Sequence, residues 1–254
     1  MKGQLNIVEL DTVDSTSNYL AHLAAEGAPH GTVVTTHSQT AGRGQRGNTW
    51  EAEPGMNITM SMLLRAPWLP AVAPARQFAL SEHVALAVAS VIRPLLPRPE
   101  ELAVKWPNDI YIGDRKIAGI LLECAITTDG ISRMVAGVGL NVNQTRFVSD
   151  APNPISLAMI TGRTYPLRPL LTEMSEAIMR FPALSEEEYP FPDTHRSYMA
   201  TLWRREGLHG YRDKETGEEF EAAIEGVMPD GHLQLRHPDG RLTLHPFRTL
   251  TALL

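Results

Sequence analysis

Gly42-Arg43-Gly44-Gln45-Arg46-Gly47-Asn48-Thr49-Trp50 puts three glycines and two arginines within six residues, with a tryptophan three positions on. The glycines match the dinucleotide pattern G-x-G-x-x-G. That pattern signals a doubly wound parallel fold only where it comes after a strand and opens a helix. Here Thr32-Val33-Val34-Thr35-Thr36 reads as the strand before it. Beyond Trp50 the chain is loop through Pro54-Gly55, and then Asn57 to Leu64 sets Ile58, Met60, Met62 and Leu64 in alternation with Thr59 and Ser61. The stretch therefore joins strand to strand, and the doubly wound reading is rejected. It is a cationic loop that can bring backbone N–H groups close to an anion.

Outward from the loop, Asn6 to Leu10 reads as a strand. Asp14 to Asn18 offers caps for a helix that Gly27 ends. Ser15 and Thr16 are capping candidates whose hydroxyls can equally face a ligand. Residues 75–96 are apolar and alanine-rich, predicting a buried helix ended by Pro94 and Pro97. Residues 102–142 predict an antiparallel meander: a strand to Trp106, a break at Pro107-Asn108-Asp109, a strand to Ile112, a turn at Gly113-Asp114, and hairpin partners around Asp129-Gly130. Residues 166–180 have helical spacing, 181–192 read as a linker, and Asp193 or Thr194 is expected to cap a helix to Arg205. Turn signals at 215–217, 229–231 and 238–240 then predict a small all-β unit. The expected division is 1–205 and 206–254.

The chain has 254 residues, net charge −6 and one cysteine, Cys124. The acidic balance argues against a duplex-binding footprint, and a lone cysteine forms no internal disulfide. The N-terminus lacks a signal-peptide core, and no stretch is expected to reach the ~20 apolar residues of a membrane span. The expectation is a soluble cytoplasmic protein without nucleic-acid or membrane partners. The nine histidines show no metal-ligand spacing, so no metal ligand is assigned.

Three further stretches carry polar groups at strand ends. Lys105-Trp106-Pro107-Asn108-Asp109 sets a lysine, an amide and a carboxylate at a strand interruption. Lys116 precedes Ile117-Ala118-Gly119-Ile120-Leu121-Leu122-Glu123, where a glycine inside a strand implies close approach of a backbone or ligand. Gly137-Val138-Gly139-Leu140-Asn141 repeats that theme.

Together with Asp14-Ser15-Thr16 and Gln39, these stretches resemble biotin protein ligases over roughly residues 8–145, and 208–254 resembles that family's C-terminal domain. The resemblance implies an α+β fold: a mixed central sheet with helices on one side, class II synthetase-like, and then an SH3-like β-barrel. It implies that biotin and ATP, with Mg²⁺, give biotinyl-5′-AMP, and that the biotinyl group then passes to a lysine of a biotin carboxyl carrier protein or domain. By motif match, Arg43, Lys116 and Asp109 are the catalytic candidates. Ser15, Thr16, Gln39, Arg43, Gly44, Gln45 and Lys116 would bind biotin. Arg46, Trp50, Asn108 and Asn141 would serve ATP and the adenylate. Many members carry arginine where this chain has Gln45 and Asn48, which puts the hold on the adenylate in doubt. The first strand near Asn6 leads to the expectation of a ligase without a helix-turn-helix domain. A homodimer is left open.

Two alternatives stay open: a lipoate protein ligase-like enzyme, whose arginine/serine-glycine-glycine-glycine loop is not found, and a non-catalytic biotin or nucleotide sensor, which would not need Lys116 or Asp109.

Overall fold

The computed structural model describes residues 5–44, 49–148, 153–185, 189–247 and 249–253. Seven strands form the main sheet: β1 (Asn6–Val13), β2 (Thr32–Gln39), β3 (Ile58–Leu64), β4 (Leu102–Lys105), β5 (Asp109–Ile112), β6 (Arg115–Thr127) and β7 (Gly130–Leu140). Their order is β1-β2-β3-β7-β6-β5-β4. Only β1 and β2 pair in parallel, because α1 (Thr16–Ala25) crosses between them; every other pair is antiparallel. The meander over 102–142 is as expected, and the sheet is mixed.

Two expectations about this sheet change. The alternation in β3 suggests one buried face, yet every residue of β3 is buried. Its place at the sheet centre covers both faces, so Thr59 and Ser61 point into protein rather than water. Helices also pack on both faces, not one. Helices α2 (Phe78–Ile92), α4 (Leu167–Met179) and α5 (Pro192–Thr201) cover the face carrying Val33, Met60, Met62 and Val138. Helix α1 covers the other face through Leu20 and Ala24 on Val34, Leu63 and Val135.

Thirteen of the fifteen residues of α2 are buried, since it lies between the sheet and α4 and α5. The helical stretch Pro74–Leu95 has the length and hydropathy of a membrane span, contrary to the sequence expectation, and 72% of its most apolar 18 residues is buried in the fold. Its apolarity is that of a core helix. Glu82 on α2 is 1% exposed in its side chain and meets Nδ1 of His195 on α5 at 2.7 Å; burial raises its carboxyl pKa, opposed by the His195 hydrogen bond.

The described residues at the two ends of 181–192 are not a bare linker. Phe181 and Phe191 pack with Trp68, and Phe191 is 1% exposed. Helix α5 has Phe191 as its N-cap with Pro192 next, and ends at Thr201, not 205; Asp193 lies in its first turn. The chain then adds to the sheet edge, where Leu202 bridges Val104. A short α3 (Leu157–Thr161) precedes Gly162, whose φ of 68° ends it in left-handed backbone.

The C-terminal segment forms a five-stranded antiparallel sheet from β8 (His209–Asp213), β9 (Glu219–Val227), β10 (Leu233–Arg236), β11 (Leu242–His245) and β12 (Leu250–Ala252), ordered β11-β10-β9-β8-β12. It is barrel-like but open between β11 and β12 among the described residues. Tyr211, Ala222, Val227, Leu233 and Leu235 join the same buried cluster as the main sheet.

Candidate functional site

The face under α1 carries two rows of small side chains across neighbouring strands. Ser61 of β3 pairs with Gly137 of β7, which pairs with Leu121 of β6. Thr59 pairs with Gly139, which pairs with Gly119. A side chain at either glycine would crowd its neighbours. A Cβ on Gly137 would lie 3.0 Å from Oγ of Ser17, and one on Gly139 would lie 2.6 Å from Cζ2 and Nε1 of Trp50. The glycines form the floor of a cavity of about 150 Å³ walled by the start of α1, the end of β2, Trp50, and the β5–β6 residues Asp109 and Lys116.

One wall is a hydrogen-bonded polar row. Oε1 of Gln39 accepts from the Thr16 backbone N–H at 2.8 Å and from the Thr16 hydroxyl at 3.2 Å. The Ser61 hydroxyl lies 2.8 Å from that of Thr16 and 2.9 Å from that of Ser17. Each hydroxyl has one hydrogen. With Thr16 donating to Gln39, Ser61 donates to Thr16 and Ser17 to Ser61, so the amide of Gln39 sets the direction of the row. Ser15, Thr16, Ser17 and Ser61 are buried. Ser15 is the helix N-cap residue, but its side chain makes no capping bond.

The opposite end is charged. Lys116 Nζ lies 2.7 Å from Oδ2 of Asp109 and 5.9 Å from the centre of the Trp50 ring. Lys105, opposite Asp109 in the β4–β5 register, donates to the Tyr111 hydroxyl at 3.1 Å and lies over the Tyr111 and Trp203 rings. Burial lowers the Lys105 pKa, and Asp109 opposes that shift. Arg43 reaches across the mouth, donating to Oδ1 of Asn18 at 2.7 Å and to Oε1 of Glu123 at 3.0 Å.

Of the residues singled out by sequence, Ser15, Thr16, Gln39, Arg43, Gly44, Trp50, Asn108, Asp109 and Lys116 come together around this one cavity. Asn108 donates to the Ile120 carbonyl at 2.9 Å, and so holds the strand break against β6. Asn141 does not line the cavity. It is 3% exposed, and its Nδ2 donates to the Ile155 carbonyl, tying the end of β7 to the 153–157 segment. Gln45 and Arg46 lie outside the described residues. Ser17, Ser61 and Glu123 are not among the site residues named from the sequence. Ser61 had a usable signal: a small hydroxyl on the polar side of an otherwise apolar strand. Trp50 Nε1 is buried and has no hydrogen-bond partner in the protein. No group of three or more His, Cys, Asp and Glu among the described residues has metal-binding geometry.

The arrangement can grip a neutral polar head in the hydroxyl–amide row and hold anionic groups near Arg43 and Lys116, with a carboxylate beside them.

Known proteins are similar to this chain. The model of the Biotin/lipoate A/B protein ligase family matches residues 9–141. The bifunctional ligase/repressor BirA of Salmonella typhimurium is 36% identical over 148 residues, covering 58% of this chain and 44% of that protein. The chain thus spans about half the length of such relatives. A biotin–[acetyl-CoA-carboxylase] ligase of Paracoccus denitrificans is 31% identical over 91% of this chain and 95% of its own. Among solved structures, a biotin protein ligase from Aquifex aeolicus in complex with biotin and ATP superposes with a TM-score of 0.77 at 20% identity, covering 98% of each chain. That likeness establishes the shared fold.

Proposed function

Starting from a chain that belongs to the Biotin/lipoate A/B protein ligase family, we propose that its cavity activates biotin with ATP and then passes the biotinyl group to a lysine of a biotin carboxyl carrier domain. One observation carries this reading: a hydroxyl–amide row and a cationic group flank a single cavity. Biotin needs both. Its cyclic urea has one carbonyl acceptor and two N–H donors, which suit Thr16, Ser17, Gln39 and Ser61. A dithiolane ring has neither, so the row favours biotin over lipoate.

In the first step a biotin carboxylate oxygen attacks the α-phosphorus of ATP, and the bond to the bridging oxygen breaks to release pyrophosphate. Two anions must meet, so the step needs positive charge. Arg43 and Lys116 are the groups for it. Arg43 must exchange Glu123 for the ligand, a half-exposed pair that contributes little by itself. Trp50, over the glycine floor beside Lys116, is assigned to the nucleotide side. Magnesium is part of the substrate, as MgATP, held by the phosphates. In the second step the acceptor amine attacks the biotinyl carbonyl carbon, the acyl–oxygen bond breaks, and AMP leaves. An unperturbed lysine has a pKa of about 10.4 and arrives protonated. Asp109 is the carboxylate placed to take its proton or orient it.

Residues 1–205 are taken as the catalytic unit and 206–254 as the SH3-like unit. The main sheet ends with the Leu202–Val104 bridge and the second sheet starts at His209. Limited proteolysis between 203 and 209 that leaves two stable fragments checks that division.

The deciding experiment is incubation with labelled biotin, MgATP and a carrier domain, which is expected to label the carrier. Biotin-dependent ATP–pyrophosphate exchange, absent with lipoate, separates the two ligase readings. A Lys116→Ala protein that biotinylates at the normal rate sinks the site assignment.

A further inference from the structure

Asp109 comes directly after the break Trp106-Pro107-Asn108, and its placement depends on what holds that break. The β4–β5 pairing closes at Lys105 and Asp109, so the three residues between them are a tight connection. Elements far along the chain grip it from two sides. From α5, the Tyr198 hydroxyl donates to the Pro107 carbonyl at 2.7 Å. Tyr198 is fully buried and stands edge-on to Phe78 with ring centres 5.6 Å apart. Burial and the nearby Glu82 raise its pKa, so it stays a donor. Helix α5 is itself fixed to α2 by the His195–Glu82 contact.

From the C-terminal sheet, the Gly231 carbonyl accepts from Trp106 Nε1 at 3.0 Å. The Phe247 ring stacks on Trp106 with centres 5.6 Å apart and meets Phe78 in a tilted contact at 5.5 Å. Gly231, at φ 89°, has no room for a side chain: a Cβ would lie 2.8 Å from the Phe78 ring and closer to Phe247. Trp203, where the chain leaves α5, adds a bond from its backbone N–H to the Val104 carbonyl at 2.9 Å and one from Nε1 to Asp114 at 3.1 Å. The cations assigned to activation sit elsewhere, Arg43 in the loop after β2 and Lys116 on β6, where Lys116 pairs with Asp109 at 2.7 Å. The nucleotide candidate Asn108 lies in the break but is held to β6 by its own bond to the Ile120 carbonyl. Gln39 and Arg43 are tied to α1.

We propose that Tyr198 and the Trp106–Phe247 stack are positioning residues for the transfer step: they set the strand break, and with it Asp109, so that the C-terminal sheet governs attack by the acceptor amine rather than activation of biotin. This rests on the biotin ligase reading. The variants are Tyr198→Phe, which keeps the ring and removes the donor, and Phe247→Leu, which keeps apolar bulk and removes the stack. Two rates are measured on the full chain: biotin-dependent ATP–pyrophosphate exchange, and single-turnover transfer from preformed adenylate to the carrier lysine. Hydroxylamine, an amine already unprotonated at neutral pH, serves as a second acceptor.

Transfer to lysine is expected to fall roughly tenfold or more in each variant while exchange stays within about threefold, as a small misplacement of an acting group predicts. Trapping by hydroxylamine, which needs no base, is expected to stay near the wild-type rate. Equal loss of exchange and transfer means general damage and overturns the proposal, as does wild-type transfer in both variants. If Asp109→Asn itself transfers normally, the assignment of Asp109 fails instead, and the two failures are told apart.

Discussion

Alanine at Gly139 should disable the nucleotide side of the site without destabilising the fold. The added Cβ would lie 2.6 Å from Cζ2 and Nε1 of Trp50, where carbon atoms prefer about 3.5–4.0 Å. Cε2 of the same ring would be closer still, so the indole must retreat by more than about 1 Å. It cannot sink, because β7 lies beneath it, so it moves away from the floor. Alanine itself suits the strand, and relative to glycine it contributes about 0.5–1 kcal/mol of stability. Stability is thus held or raised while a site wall is displaced. Misplacements of this size cost on the order of 10- to 100-fold in rate. The assay is biotin-dependent ATP–pyrophosphate exchange against ATP concentration, with urea unfolding in parallel. In a Trp50→Ala background the same Gly139→Ala change should have almost no further effect, because the clash is gone. Exchange within about twofold of wild type for Gly139→Ala alone would refute the reasoning, since the magnitude rests on Trp50 being held where it is needed.

Three other outcomes are expected. Lys116→Met should lower exchange by roughly 10²–10³-fold yet change stability by no more than about 1 kcal/mol, because the Lys116–Asp109 pair is about one-third exposed; a large stability loss with normal exchange would reverse that role. Thr16→Val leaves Gln39 and Ser61 short of a partner in a buried row, so the KM for biotin should rise about ten- to hundredfold with the KM for ATP unchanged; equal rises in both argue against a biotin-specific wall. Burial lowers the His83 pKa from 6.5 to about 4. The unfolded chain therefore takes up a proton below pH 6.5 that the folded chain refuses until about pH 4, and stability present above pH 6.5 is lost as pH falls between them. Urea midpoints of wild type and His83→Gln should converge or cross over that range; parallel curves exclude His83 as the cause.

The main sheet was legible because each strand of 102–142 is bounded by turn chemistry, and because the glycine-rich loop leads to a strand rather than a helix. The cavity was legible in part. Asp109, Lys116, Gln39 and Thr16 stood out as polar residues at strand or helix ends. Ser61 carried only a partial signal, a small hydroxyl on the polar side of an apolar strand, because alternation reads the same whether that face meets water or a buried wall; the difference is made by β7 and α1, which lie far away in sequence. Asn141 illustrates the reverse. An amide at a strand end has the composition of a ligand contact, yet here its Nδ2 donates to the backbone carbonyl of Ile155, 14 residues further along the chain, while its Oδ1 is buried without a partner in the protein. The pairing of Glu123 with Arg43 depends on a contact 80 residues apart, and the aromatic grip on Trp106 depends on Phe247.

Helix α2 has a consequence for how the chain must be made. It is apolar almost all round, and α4, which covers it, ends at Met179, 87 residues after Ile92 (179 − 92). At synthesis rates of roughly 5–20 residues per second, that interval lasts about 4–17 seconds. For that time a segment with the composition of a membrane span lacks its helical cover, and for the first 48 residues of it, up to Leu140 (140 − 92), it also lacks the β6–β7 hairpin. Early folding of this protein is therefore a race between completion of the sheet and association of α2 with other apolar surfaces, and the nascent chain is the stage at which chaperones matter to it.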